Sequence, residues 1–229
     1  MRASHFMSAT VQKVRLSPLY AILDPEQTKG RSAAIMLQEL LAGGTRILQL
    51  RAKALSARDF LQLARETRTL TQAHGCCLII NDRVDIALAS GADGVHLGQD
   101  DLPLHAARKL MSGKIIGIST HDIEQAKEAE RAGADYIGFG PMFGTTTKDT
   151  GYTARGLDTL RQVRAAVRIP IVAIGGITES NVKDVWEAGA DSAAIISDIL
   201  HAENVAAQVR RILSTASAPS SEASAKGNG

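Results

Sequence analysis

Short apolar runs recur along the chain, and each is followed by polar residues and then by an amphipathic stretch. Eight such runs stand out: LYAIL (19–23), RILQL (46–50), CCLII (76–80), GVHL (94–97), IIGIS (115–119), YIGFG (136–140), IPIVAIG (169–175) and SAAII (192–196). Most are continuously apolar, as expected of parallel strands covered on both faces. Between them lie helical patterns such as SAAIMLQELLAG (32–43), ARDFLQLARETRTLTQAHG (57–75), IEQAKEAERAG (123–133) and LDTLRQVRAAV (157–167). Strand followed by helix, eight times over, predicts an α/β fold, a single-domain (β/α)8 TIM barrel. A doubly wound open sheet is the structural competitor.

One junction repeats in sequence: AGGTRILQL (42–50), SGADGVHL (90–97), AGADYIGFG (132–140) and AGADSAAII (188–196). Each reads as a helix end, a Gly stop and a buried strand, because Gly accepts positive φ without a Cβ clash. The spacing is irregular, which fits repeated βα units and not a solenoid of fixed period. Helix starts are signalled at Ser56, at Leu102-Pro103 and at Thr178-Glu179. The barrel is therefore assigned to residues 18–213. Residues 1–17 read as a flexible leader, although Arg2, Lys13 and Arg15 without an acid leave a transit peptide open. Residues 214–229 form a Ser/Ala-rich tail without apolar periodicity, expected to be disordered.

Composition narrows the function. The chain has 229 residues, enough to bury one large core, and a formal net charge of +2 with the two signs interspersed. No basic stripe marks a nucleic-acid or membrane partner, and 3% aromatics leave little for base stacking. The two cysteines are adjacent, so no disulfide framework or CxxC metal site exists, which suits the cytoplasm. No stretch is apolar for long enough to span a membrane.

In a barrel of this kind the site lies at the C-terminal ends of the strands. The residues following each run are then the candidates: Gln49, Arg51 and Lys53; Asn81 and Asp82; Gln99, Asp100 and Asp101; Ser119, Thr120 and His121; Thr145, Thr146, Thr147 and Lys148; Gly175 and Gly176; Ile196 and Ser197. Any one of these charges alone reads as a solvated loop group. So many strand ends carrying polar groups on one rim read together as a site.

Two carboxylates without His or Cys companions suit a hard, oxygen-liganded ion, Mg²⁺ before Zn²⁺. Such an ion takes one or two protein carboxylates and completes its shell with water and phosphate oxygens. Arg51, Lys53 and Lys148 would supply charge for a di- or polyphosphate. A paired-carboxylate hydrolase is an alternative for Asp82 and Asp101, but it leaves the three cations without a purpose. A second phosphate site is expected where GGIT (175–178) and Ile196-Ser197 precede helices.

The motifs QLRAK, IINDRVDIALASGADGVHLGQDD, GISTH, FGPMFGTTTK, VAIGGI and IIS, in this order, resemble the thiamine phosphate synthase family over roughly residues 18–213. The resemblance implies a (β/α)8 barrel that joins a pyrimidine diphosphate to a thiazole phosphate and releases pyrophosphate. It implies one Mg²⁺ per subunit and a homo-oligomer. Gln49, Leu50, Arg51, Ala52 and Lys53 would contact the pyrimidine diphosphate, with Asn81, Ser119 and Lys148. Thr145, Thr146 and Thr147 would line the thiazole phosphate side, and Gly176, Ile196 and Ser197 would hold its phosphate. Asp82 and Asp101 would hold Mg²⁺; the family register selects Asp101 over Asp100. Arg51, Lys53, Lys148 and Ser119 would carry the catalysis. The chain departs from the family where prolines are expected, at Gly144, Thr146 and Ala154, which concerns the loop's mobility more than its charges.

Two rivals remain. A thiazole tautomerase on the same barrel could use His121 as acid/base, but it needs neither paired metal carboxylates nor a diphosphate-binding Lys. A non-catalytic sensor of phosphorylated ligands would bind without releasing pyrophosphate.

Overall fold

The computed structural model describes residues 16–144 and 153–217. Eight parallel strands close into a barrel in sequence order: β1 (Leu19–Leu23), β2 (Ile47–Leu50), β3 (Cys77–Asn81), β4 (Gly94–Leu97), β5 (Ile115–Thr120), β6 (Tyr136–Phe139), β7 (Ile171–Ile174) and β8 (Ser192–Ile195). β8 pairs back onto β1 through Ala193 with Leu19 and Ile195 with Ala21, so no sheet edge remains exposed. The open-sheet alternative is thereby removed. Helices follow as α1 (Ala33–Ala42), α2 (Ala57–Ala73), α3 (Val84–Ser90), α4 (Leu104–Leu110), α5 (Ile123–Arg131), α6 (Gly156–Ala166), α7 (Val182–Glu187), α8 (Ser197–Leu200) and α9 (Val205–Ser217).

Two apolar cores result from the period-two alternation of the strands. The outer one lies between sheet and helices and takes Leu48, Leu50, Leu78, Ile80, Val95 and Leu97 against helix residues such as Met36, Leu40 and Phe60. The inner one fills the lower barrel with Tyr20, Ile22, Ile47, Ile79, Tyr136, Val172 and Ala194. Local signals set the helix ends. Ser56 caps α2 by accepting the Asp59 N–H, a contact worth about 1 kcal/mol. Gly91, Gly133 and Gly189 all have positive φ after their helices, as the repeated junction requires.

The repeat also carries a charge device. Asp93 Oδ2 accepts the Leu78 N–H at 2.8 Å and pairs with Arg68 at 2.6 Å. Asp135 Oδ2 accepts the Ile116 N–H and pairs with Arg108, both at 2.7 Å. Asp191 Oδ2 accepts the Ile171 N–H at 2.8 Å and pairs with Arg164 at 2.9 Å. Each Gly-Ala-Asp junction thus pins the start of the preceding strand to a helix arginine at the N-terminal rim.

Three boundaries shift. α9 runs to Ser217, four residues past the expected end of the fold at 213, and Leu16 already packs on the inner core. GGIT does not open a helix directly, because α7 starts only at Val182; Asn181 intervenes and its side chain accepts the Thr178 N–H.

Candidate active site

The C-terminal rim surrounds a cavity of about 170 Å³ whose walls include Asp24, Gln49, Arg51, Asn81, Ser119, His121, Gly176, Ile196 and Ser197. An apolar cavity of ~150 Å³ admits one benzene ring, so this space suits one heteroaromatic ring with its substituents at the rim.

Gln49 and Arg51 point inward because they share strand parity with Ile47 of the inner core. Leu50 and Ala52, on the opposite parity, are buried in the outer core and do not line the cavity. Any contact they make with a ligand is through backbone. Arg51 is held from behind by Asp24, which is 1% exposed and also accepts the Glu26 N–H at 3.0 Å. The guanidinium has five donors, so one pairing leaves it able to fork onto phosphate oxygens.

Lys53 sits beside this wall and pairs with Asp82 at 2.9 Å. Asp82 has a positive φ of 63°, an uncommon state for a non-Gly residue and one that clusters at functional sites. Its carboxyl is hydrogen-bonded to that of Asp101, whose Oδ2 accepts the Gly98 N–H at 2.7 Å. Burial pushes the Asp82 carboxyl up, but Lys53 and the Asp101 hydrogen bond together hold it below its ordinary value. The Asp101 carboxyl lies above its ordinary value, through burial and then the neighbouring Asp82, against the opposing Gly98 N–H. The two strand ends thus bring together two carboxylates that repel unless a proton or a cation lies between them.

No group of three or more His, Cys, Asp or Glu positioned for a metal occurs among the described residues. A carboxylate pair opening onto a rim with two cations fits Mg²⁺, which needs few protein ligands, and does not fit a closed Zn²⁺ site.

Asn81 and Ser119 line the cavity between the Asp82 and His121 sides. Ser119 Oγ lies 2.9 Å from His96 Nε2, and its carbonyl accepts from Gln99. His121 donates from Nδ1 to the Gly140 carbonyl at 2.7 Å. On the far side, a Cβ at Gly176 would meet the Gly144 carbonyl at 2.6 Å, so this glycine lets the β6 and β7 loops close on each other. α8 begins at Ser197 on the cavity wall, with the Ile199 and Leu200 N–H groups donating to the Ile196 carbonyl. Thr145, Thr146, Thr147 and Lys148 lie outside the described residues.

Four polar cavity residues were not anticipated: Tyr20, Asp24, His96 and Tyr136. Asp24 follows LYAIL as Asp82 follows CLIIN, and reading the end of the first strand would have found it. The other three are polar groups inside apolar runs, where only inward parity distinguishes them.

A closed (β/α)8 barrel with cations and a carboxylate pair at its C-terminal rim is the layout of an enzyme for phosphorylated small molecules. The chain belongs to the thiamine monophosphate synthase family, which it matches over residues 19–199. It is 46% identical over 194 residues to the thiamine-phosphate synthase of Chloroflexus aurantiacus, covering 85% of this chain and 90% of that one. To that of Halalkalibacterium halodurans it is 49% identical over 188 residues, covering 82% and 89%. Among solved structures, the thiamine phosphate pyrophosphorylase from Pyrococcus furiosus superposes with a TM-score of 0.81 at 34% identity, covering 87% of this chain and 96% of that one. A 3-hexulose-6-phosphate synthase, at 18% identity and a TM-score of 0.65, shares the fold alone.

Proposed function

We propose that this protein is a thiamine-phosphate synthase, a transferase that joins 4-amino-2-methyl-5-(diphosphomethyl)pyrimidine to a thiazole phosphate and releases pyrophosphate. The observation that carries this reading is the meeting of Asp82 and Asp101 beside Lys53, with Asp82 next in sequence to Asn81, which with Arg51 lines a ring-sized cavity. Gln49, Asn81 and Ser119 hold the pyrimidine in that cavity. Arg51, Lys53 and Lys148 bind its diphosphate at the rim, with the Leu50 and Ala52 backbone alongside. Gly176, Ile196, Ser197 and the Thr145–Thr147 segment take the thiazole phosphate.

Asp82 and Asp101 would hold Mg²⁺, which would supply positive charge against the diphosphate. The remaining work falls to the chain's own groups. Arg51, fixed by Asp24, and Lys53 meet the charge that develops as the C–O bond to pyrophosphate lengthens. The electron-rich aminopyrimidine stabilises the cation left on its methylene carbon. The thiazole nitrogen attacks that carbon along a line set by its anchored phosphate. It carries no proton, so no general base is required.

His121 lines the cavity, and this keeps a thiazole tautomerase as the second reading. That reaction has no use for the Asp82–Asp101 pair. Mixing both substrates with and without Mg²⁺ separates the two. Pyrophosphate release that depends on Mg²⁺ is expected, and no release in either condition removes the synthase reading. Light scattering would check the homo-oligomer that belongs to this reading. No helix among the described residues is long and apolar enough to cross a membrane, in keeping with the cytoplasmic location this reading carries.

A further inference from the structure

Beneath the candidate site, five side chains from five strands form one hydrogen-bonded chain across the barrel. Gln49 Nε2 donates to Tyr20 Oη at 3.0 Å. Tyr20 Oη lies 2.8 Å from Tyr136 Oη, which lies 3.0 Å from His96 Nδ1. His96 Nε2 lies 2.9 Å from Ser119 Oγ. Space has been made for this chain. A Cβ at Gly117 would fall 2.1 Å from the Tyr136 ring, and one at Gly138 would fall 2.9 Å from the His96 ring. The His96 and Tyr136 rings stack with centroids 5.5 Å apart.

The direction of the chain follows from donor counting. Tyr20 and Tyr136 are fully buried, and burial holds both phenols protonated, far above neutral pH. Each therefore has one proton to donate. Tyr20 Oη already accepts from Gln49, so if it also accepted from Tyr136 its own proton would have no acceptor. A buried donor left without an acceptor loses its water and gains nothing in return. Tyr20 must therefore donate to Tyr136, and Tyr136 to His96 Nδ1. With Nδ1 accepting, the ring's single proton sits on Nε2 and is donated to Ser119 Oγ.

We infer that this buried chain acts as a polarity setter: it fixes Ser119 as a hydrogen-bond donor into the cavity and so selects a pyrimidine that presents a bare ring nitrogen. Ser119 Oγ, already accepting from His96, directs its own O–H toward the ligand. Gln49, whose Nε2 is engaged below, offers Oε1 to an exocyclic amine. A 4-aminopyrimidine matches both requirements, because its ring nitrogens are acceptors and its amine is a donor. The 4-oxo ring reverses both groups, carrying N–H on the adjacent ring nitrogen and an acceptor in place of the amine. Tyr20, Tyr136 and His96 are positioning residues that act through Gln49 and Ser119. This inference rests on the pyrimidine reading of the cavity and adds the specificity to it.

Two measurements test it. In the full-length enzyme, nitrogen NMR of ¹⁵N-histidine-labelled protein at mildly alkaline pH should show His96 protonated at Nε2 and bare at Nδ1. A His96→Asn variant identifies its signals among those of the six histidines. A His96 protonated at Nδ1, alone or at both nitrogens, overturns the inference. The second measurement is the affinity ratio of the 4-amino and 4-oxo forms of the pyrimidine monophosphate, taken without the thiazole substrate. Wild type should favour the amino form by roughly tenfold or more, as one mismatched hydrogen bond requires. In Tyr136→Phe, and in Tyr20→Phe should that variant fold better, the ratio should fall severalfold while the charged rim is unchanged. An unchanged ratio overturns the selection. If wild type binds neither form, the pyrimidine reading falls with it, whereas the His96 tautomer still reports on the chain's direction.

Discussion

The two rims of the barrel use the same residue types for opposite ends. At the N-terminal rim, Asp93, Asp135 and Asp191 each spend one oxygen on a strand N–H and on a helix arginine. Those carboxylates are satisfied within the fold. At the C-terminal rim, Asp82 and Asp101 are turned on each other, and the Asp101 carboxyl is pushed upward. The difference shows where the chain spends charge on holding strands and where it keeps charge for a ligand. Carboxyl groups whose titration is perturbed by burial and by each other cluster at functional sites.

The comparison breaks if an upper-rim change behaves like a lower-rim one. The largest expected effect is on catalysis. Asp82→Ala and Lys148→Ala should each lower turnover by roughly 10²-fold or more, the loss seen when a preorganised electrostatic group is removed. Thermal unfolding of Asp82→Asn, which tolerates the positive φ at this position, should stay close to that of the wild type, since the Asp82 carboxyl props up no strand. Near-normal turnover in either variant would remove the assigned roles.

Asp135→Ala should do the reverse. It strands the Ile116 N–H and removes the ion pair to Arg108, both made to one oxygen of a carboxyl only 15% exposed, while Arg108 keeps its bonds to the Lys114 and Gly133 carbonyls. A stability loss of about 2–3 kcal/mol is expected in denaturant unfolding, with kcat unchanged. Asp191 does the same job at 46% exposure, so Asp191→Ala should cost less, nearer ~1 kcal/mol. Equal costs at the two positions would show that solvent is not what grades the clamps.

Asp24→Asn probes an upper-rim carboxylate that is spent internally. The pair with Arg51 is lost while the cap on Glu26 N–H can persist. Arg51 should then lose its fixed orientation, and kcat/KM for the pyrimidine diphosphate should fall about tenfold, one charge-assisted hydrogen bond's worth. A fall in stability with unchanged kcat/KM would place Asp24 with the lower rim.

The lower rim was half legible in sequence, and the upper rim more so. The eight strands emerged because parallel strands buried on both faces write unbroken apolar runs, and their ends were right to within a residue or two. The Gly-Ala-Asp junctions were visible as repeats, but the aspartate's partners were not. Arg68, Arg108 and Arg164 lie 25 to 27 positions from their aspartates, beyond any local pattern. At the upper rim, Gln49, Arg51, Asn81, Ser119, Gly176, Ile196 and Ser197 were read from strand ends and do line one cavity. Tyr20, His96 and Tyr136 escaped because a strand in a sealed barrel looks apolar on both sides, and an aromatic in it passes for core. The start of α7 was placed too early because Thr178 resembles a cap, while Asn181, adjacent to the helix, bonds back to the Thr178 N–H.

The smallest expected effect sharpens the comparison most, because it has the opposite sign. Asp101→Asn removes a carboxyl whose folded-state value is raised, so its ionised form opposes folding. In the presence of a chelator the substitution should stabilise the protein at neutral pH. The group is only half-buried and is screened by solvent, so the gain should be well under ~1 kcal/mol. It should fade as pH falls through the raised folded-state value, since both the folded and unfolded carboxyl are then protonated. Adding Mg²⁺ should reverse the order, because binding to the native state raises only the wild type's melting temperature. A lower-rim carboxylate such as Asp135 should show neither the gain nor the reversal. If Asp101→Asn destabilises the chelated protein, the carboxylate pair is a structural contact like the clamps beneath it, and the contrast between the rims fails at this position.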